Sequence, residues 1–487
     1  MGPIDIAIIA VYLLVMVGMG FFFMCRNTDV DAYFKAGGRA PWWVVSLSIY
    51  ATMFSSITFM SVPAMSYSGD MSYFVISFGI PVIALVTVRW YLPFFRKLNL
   101  TSAYEYLEVR FNLPCRLFAS AAFVLFMIAR TAIVAYLPSL ALCAVTGIDM
   151  NVAILVVTLT TVVYCTVGGV EAVIWSDFVQ SVILIASTLL ILVWLIVGTD
   201  GGWSGFLSMG TSAHKFRVFD LALNWTKPCF WVLLIGGLVA NLASYTSDQC
   251  VVQRYMTTSD EKGAAKSILL NGGLSFLNCF VFFTVGAALW TYYQSHAGAL
   301  PAGTKPDAVL AVFIARELPH GVSGLVLAAV AAATMSTLSA NLNSAASAIT
   351  TDFFRRLRVK SEGEGEQRKL LVCGKVSTVV IGLLGGTMAL WLANADICNI
   401  YDQFQRFLGI LTGGLGCLFF MGIFMKRVNG FGAMCGLVAN YIVCFGLDQL
   451  RFAGKPHLLL FGFLGMVACL VVAPIASSFS RNENDIS

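Results

Sequence analysis

Charge is scarce in this chain: only 11% of its 487 residues are Asp, Glu, Lys or Arg, where a soluble domain carries about 25%. That deficit, with 59% hydrophobic residues and a mean hydropathy of +0.83, excludes an ordinary soluble domain and indicates a polytopic membrane protein. Histidine is rarer still. The four histidines, His214, His296, His320 and His457, all fall in expected loops on one side, which excludes an HExxH metal helix and argues against a histidine proton relay. The 13 cysteines form no CxxC pair and sit mostly in apolar segments, so they read as small buried hydrophobes and not as a disulfide or metal framework. Carboxylate pairs that could make a catalytic constellation are missing, which leaves an integral-membrane enzyme as a weaker alternative, beside a membrane-bound sensor. The formal net charge of +5 calls for no nucleic acid, because the basic residues gather in short loops. Pro3 to Met24 reads as a first membrane helix, with no small-residue cleavage site behind a basic start.

What is abundant is apolar length. A bilayer core of about 30 Å needs about 20 apolar residues per helix, and thirteen segments qualify, near 3–24, 42–67, 73–95, 117–145, 151–167, 173–198, 229–247, 267–294, 319–349, 370–394, 402–426, 430–450 and 456–479. The expected fold is an all-α integral membrane protein of about thirteen transmembrane helices. With the N-terminus outside, the inner loops hold 19 Lys and Arg and the outer segments 7. That asymmetry predicts a multi-pass cell-membrane protein with its C-terminus cytoplasmic. The stretch 355–369 reads as a solvated mixed-charge inner loop, and 301–319 as an outer loop with a short amphipathic helix over 308–317.

Three polar features interrupt the apolar pattern. The second segment carries Ser55, Ser56, Thr58 and Ser61 and then Pro63. A proline removes a backbone donor and crowds the preceding turn, so a broken helix at membrane depth is expected, its loose carbonyls and hydroxyls facing a cavity. The alternative is a kinked helix packed through its small residues. The ninth segment places Ser336, Ser339 and Asn343 on one helical face, and hydroxyl oxygens suit a hard cation such as Na+. Arg130 sits thirteen residues into the fourth segment, about 20 Å from its inner end. A charge at that depth marks a substrate contact or a buried ion pair. Asp177 is the candidate partner, but it lies only a few residues into the sixth segment, near the inner face and so at a different depth, which favours an anion clamp. Asp177, entering the bundle as a lone carboxylate, is also a natural cation ligand. Arg406 is expected near the outer end of the eleventh segment, as a gate or a structural contact.

Several motifs together resemble the sodium:solute symporter family. They are Asp31-Ala32-Tyr33-Phe34 with Gly37-Gly38-Arg39, the stretch Tyr164 to Gln180 with Gly168-Gly169, Asp248-Gln249 with Gln253-Arg254-Tyr255, and Gly422 to Arg427 followed by Gly432-Ala433. The resemblance implies a leucine-transporter type core of five plus five helices in inverted repeats. The repeats would span 42–198 and 229–426, with an extra helix over 1–24 and two C-terminal helices over 430–479. It implies Na+ as coupling ion, held by backbone oxygens of Ala51 and Phe54 with Ala333, Ser336 and Thr337. A second Na+ site would use Asp177, Ser336 and Ser339; a further serine of that site is Ala340 here. The stretches around Ser55, Thr101 and Arg130 are most similar to the bacterial sialic acid branch, where the arginine binds the substrate carboxylate, assisted by Ser55 and Thr58. Ser56, Ser77 and Tyr245 complete the implied substrate set. Two polar positions of that branch are Met53 and Ser77 here, which leaves another sugar acid or carboxylate open. The expected partners are a small organic anion, sodium ions and the lipid bilayer, with no obligate protein partner. The rival substrate is a neutral sugar or other nutrient, with Arg130 paired internally.

Overall fold

The computed structural model describes residues 2–25, 29–98, 100–358, 364–395, 413–450 and 454–480, and the described residues contain helices and no strands. Each of the thirteen expected segments has a helical counterpart among them. The eleventh is described only as Gly413–Phe424, and Arg406 lies outside the described residues. Helix α1 spans Pro3–Met24, α2 Trp42–Met53, α3 Ser56–Ser68, α4 Ser72–Leu98, α5 Leu113–Thr146, α6 Met150–Gly198, α7 Phe230–Thr246 and α8 Gln249–Met256. They are followed by α9 Glu261–Ser295, α10 Pro306–Arg316, α11 Val322–Ala348, α12 Glu364–Asn394, α13 Gly413–Phe424, α14 Gly430–Gln449 and α15 Phe461–Phe479.

The expected fifth and sixth segments run together as the 49-residue α6, bent where Gly169 adopts φ 59° and ψ −163°. That backbone conformation is essentially confined to glycine, so the Gly168-Gly169 pair makes the reversal without a loop. The short helix expected in the loop over 301–319 forms as Pro306–Arg316, but it packs its buried residues Val309 to Ile314 against α3 and its neighbours.

Helix α11 is the central column. Every residue from Ala332 to Ala348 is buried, and the helix packs against α5, α6 and α12. A helix buried all round must find partners for its hydroxyls and amides inside the protein. The lipid-facing surface is carried by others, with Leu14, Leu125, Val193 and Val197 well exposed.

Two spans are broken. α2 and α3 meet at 64°, and α7 and α8 at 51°. The first break falls at Phe54 and Ser55, whose dihedrals leave the helical region at ψ 87° and 163°. This corrects the expectation that Pro63 causes it: Pro63 lies within the continuous α3. Gly286 of α9 packs so close to Pro63 that a Cβ there would collide with the Pro63 carbonyl. The second break, at Ser247 and Asp248, was not expected from the sequence.

Candidate functional site

The end of α2 explains an oxygen-rich corner. At a normal helix end the last carbonyls lack amide partners, and here the chain turns before they can be taken up. The Ala51 carbonyl instead accepts from the Ser336 hydroxyl at 2.9 Å. The same hydroxyl lies 3.2 Å from the Ala333 carbonyl, which Thr337 Oγ1 approaches at 3.1 Å. Four of the five expected sodium ligands, Ala51, Ala333, Ser336 and Thr337, therefore meet. The fifth, Phe54, follows the last residue of α2, and among the described residues no backbone amide donates to its carbonyl. The set is built of neutral carbonyl and hydroxyl oxygens, donors that match a hard monovalent cation, and no cluster of three or more His, Cys, Asp or Glu occurs among the described residues.

On the other side of the break α3 begins with Ser55 as its cap. Its hydroxyl accepts from the Thr58 amide at 3.4 Å and lies 3.3 Å from Thr58 Oγ1. The amide end of this half-helix carries partial positive charge, the carbonyl end of α2 partial negative charge. One break thus offers a cation pole and an anion pole a few residues apart.

Both breaks line one cavity of about 440 Å³, with Thr52, Met53, Ser55, Thr58 and Ser61 on one wall and Ser244, Ser247 and Asp248 on another. Arg130 of α5 enters between them, and Phe123 and Phe126 add an aromatic flank one to two turns earlier. Among the described residues the only charged groups lining the cavity are Arg130 and Asp248. They form an ion pair, Arg130 Nη1 to Asp248 Oδ2 at 3.5 Å, and both side chains keep some exposure, 18% and 20%. The other Asp248 oxygen caps α8 by accepting from the Cys250 amide at 2.8 Å.

The partner of Arg130 is therefore Asp248 and not Asp177. Nor is Asp177 the lone carboxylate expected. It is fully buried and bound by Arg254 Nη2 at 2.9 Å and by the Ser48 hydroxyl at 2.6 Å, with Ser339 Oγ at 3.4 Å. Arg254 also donates to Ser48 Oγ at 2.8 Å and to the Cys250 carbonyl at 2.7 Å. A guanidinium so placed supplies the positive charge that a second sodium ion at Asp177, Ser336 and Ser339 would bring. Ala340 adds no hydroxyl there.

The expected substrate set divides in two. Ser55, Thr58 and Arg130 line the cavity, whereas Ser56, Ser77 and Tyr245 do not. Tyr245 is buried with its hydroxyl taking the Asn271 amide at 2.6 Å. Ser77 is buried against the Cys279 thiol, and the Ser56 hydroxyl is buried without a partner among the described residues. Each of the three points to packing behind the wall and not to its surface. The residues that sequence reasoning missed are Ser247, Asp248 and the aromatic pair Phe123 and Phe126. A Thr-Ser-Asp run inside an apolar stretch, at 246–248, was the available signal, since Asp and Ser before a hydrophobic run mark a helix start.

Below the cavity the chain is fastened. Gln249 takes the Ala103 amide and donates to the Thr101 carbonyl, each at 2.8 Å, and the Tyr104 hydroxyl donates to the Ser247 carbonyl at 3.1 Å. Ser102 and Ser120 donate to Asp352 at 2.7 Å, and Arg116 bridges Asp352 to Glu108 at 2.8 and 2.7 Å. A hydrogen bond from Arg356, with Arg116 beside it, holds the Glu108 carboxyl below its usual value, so that end of the network stays ionised.

The model of the sodium:solute symporter family matches residues 33–439. The chain is 36% identical to the sodium/sialic acid symporter SiaT of Proteus mirabilis, covering 100% of this chain and 97% of that protein. It is 36% identical to the sodium/sialic acid symporter NanT of Aliivibrio fischeri over 99% and 94%, and 28% identical to the sodium/glucose cotransporter of Vibrio parahaemolyticus over 99% and 92%. A solved structure of a Na+-coupled sialic acid symporter, substrate-bound and outward-open, superposes with a TM-score of 0.90 at 35% identity, over 99% and 98% of the two chains. A nucleobase-cation-symport-1 family transporter shares the fold at 14% identity and a TM-score of 0.57. The match across most of the length, with an oxygen-lined helix break of the leucine-transporter type, means that this multi-pass membrane protein belongs to the sodium:solute symporter family.

Proposed function

We propose that this chain is a sodium-coupled symporter that imports sialic acid or a related sugar acid, with its N-terminus outside and its C-terminus in the cytoplasm. The observation that carries the reading is the Arg130 guanidinium in a cavity of about 440 Å³ that also presents Ser55 and Thr58. A guanidinium fork matches a carboxylate, and the hydroxyls suit a polyol ring. The substrate named for the two relatives at 36% identity points the same way. Sodium would sit on Ala51, Phe54, Ala333, Ser336 and Thr337, joining α2 to α11 and favouring the outward-open state. Substrate on Arg130 would then favour closure, each ligand acting through its different affinity for the two states. We take 42–198 and 229–426 as the two inverted repeats, which puts each helix break in the first span of its repeat.

A neutral sugar is the second reading, favoured by one observation: Asp248 already neutralises Arg130. Thermal stabilisation of the purified protein by sugar acids, neutral sugars and short carboxylates, each in Na+ and in K+, separates the two. A shift with N-acetylneuraminate in Na+ that Arg130→Ala abolishes supports the first reading. A shift with neutral sugars alone, retained in Arg130→Ala, rejects it.

A further inference from the structure

We propose that Asp248 makes anion binding conditional on sodium, because its carboxylate cancels the charge of Arg130 and leaves the described lining of the cavity without net charge until Na+ arrives. The inference rests on the roles given above to Arg130 and to the Ala51 and Ser336 oxygens.

Arg130 alone would be a standing attraction for any anion. It does not stand alone. Asp248 Oδ2 lies 3.5 Å from its Nη1, and these two are the only charged residues lining the cavity among those described. A substrate carboxylate entering this neutral pair would bring its own charge against that of Asp248. In a cavity with low-dielectric walls such an uncompensated charge is costly. Sodium supplies the compensation from the adjoining corner. Thr52, Met53 and Ser55 line the cavity, and the sodium oxygens belong to Ala51 and Phe54, their neighbours in the chain. With Na+, Arg130, Asp248 and the substrate carboxylate all present, the charges cancel. With either ligand missing, the site carries one unit of excess charge or holds only its own ion pair. The two ligands therefore stabilise each other's binding through charge, in addition to any change of conformation.

Asp248 is fixed for this role by its backbone position. It begins α8 and its second oxygen holds the Cys250 amide at 2.8 Å, so the carboxylate cannot swing away from Arg130 without uncapping the half-helix. Asn and Ser also cap helices well, which gives neutral replacements that keep the break intact.

The test titrates N-acetylneuraminate into the purified full-length protein, in Na+ or in K+ at matched ionic strength, for the unaltered chain, Asp248→Asn, Asp248→Ser and Asp248→Glu. The unaltered chain and Asp248→Glu should bind only in Na+. Asp248→Asn and Asp248→Ser should gain about tenfold or more in affinity in K+. Neutral variants that keep the original Na+ requirement would overturn the proposal. So would neutral variants that lose binding in both cations while melting like the unaltered chain. Failure of the underlying reading looks different: the unaltered chain would then not bind N-acetylneuraminate in Na+ at all.

Discussion

Buried ionic groups decide what single residues do here. The Asp177 and Arg254 pair is buried to 0% and 1% exposure, and removing one partner of such a pair leaves an uncompensated charge. Arg254→Met should therefore cost about 3–5 kcal/mol, read as a lower melting temperature of the ligand-free protein. Adding Asp177→Asn to it should restore most of the loss; no recovery would mean that Arg254 acts through its packing. Ser336 makes a contrasting case. Its hydroxyl joins the Ala51 and Ala333 carbonyls, so Ser336→Ala should raise the Na+ concentration for half-maximal transport roughly tenfold or more, a loss of one oxygen ligand worth about 1.4 kcal/mol. An unchanged Na+ dependence would remove the α2 and α11 corner as the ion site.

At the scale of elements, the decisive feature is where a helix stops. Proline was the visible breaker, yet the first break is made by Ser55 capping α3 at the Thr58 amide, and Pro63 rides inside the helix. Pro63→Ala should accordingly leave Na+-dependent substrate binding within about twofold, since it restores a donor in a helix that is already formed. Ser55→Ala should cost about 1 kcal/mol in the cap and weaken substrate affinity as well, because the same hydroxyl faces the cavity. Equal effects of the two substitutions on binding would contradict this division. The pattern also says how much could be read in advance. Segment number and the two polar helices are properties of local composition, and Gly169 announced the α6 bend through its neighbour Gly168. Pairings were a different matter. Arg254 and Asp177 lie 77 positions apart, and Arg130 and Asp248 come from different spans, so their meeting depends on how helices cross and not on spacing within one. The carboxylate partner of Arg130 was hidden for that reason. Ser77 and Tyr245 lie outside the cavity lining for a related reason: polarity of a residue type does not tell whether it faces a cavity or the packing behind it.

For the whole molecule, the charge carried per cycle follows from the two ion pairs taken together. Arg254 already occupies the Asp177 carboxylate, and Ala340 contributes no oxygen beside Ser339. We take the remaining oxygen corner at Ala51, Phe54, Ala333, Ser336 and Thr337 as the site of a single sodium ion. A sialate monoanion crossing with one Na+ moves no net charge. Uptake into proteoliposomes driven by an inward Na+ gradient should then proceed at the same initial rate with and without an inside-negative potential set by K+ and valinomycin. A second sodium ion would change this. Each cycle would carry one positive charge inward, a driving force of about 2.3 kcal/mol per 100 mV, and the accumulation ratio at that potential would rise roughly fiftyfold. A rise of that size would show that Arg254 leaves Asp177 during the cycle and that the carboxylate then takes an ion. Constant accumulation would mean that the guanidinium stays as the fixed cation of that site, with transport powered by the sodium gradient alone.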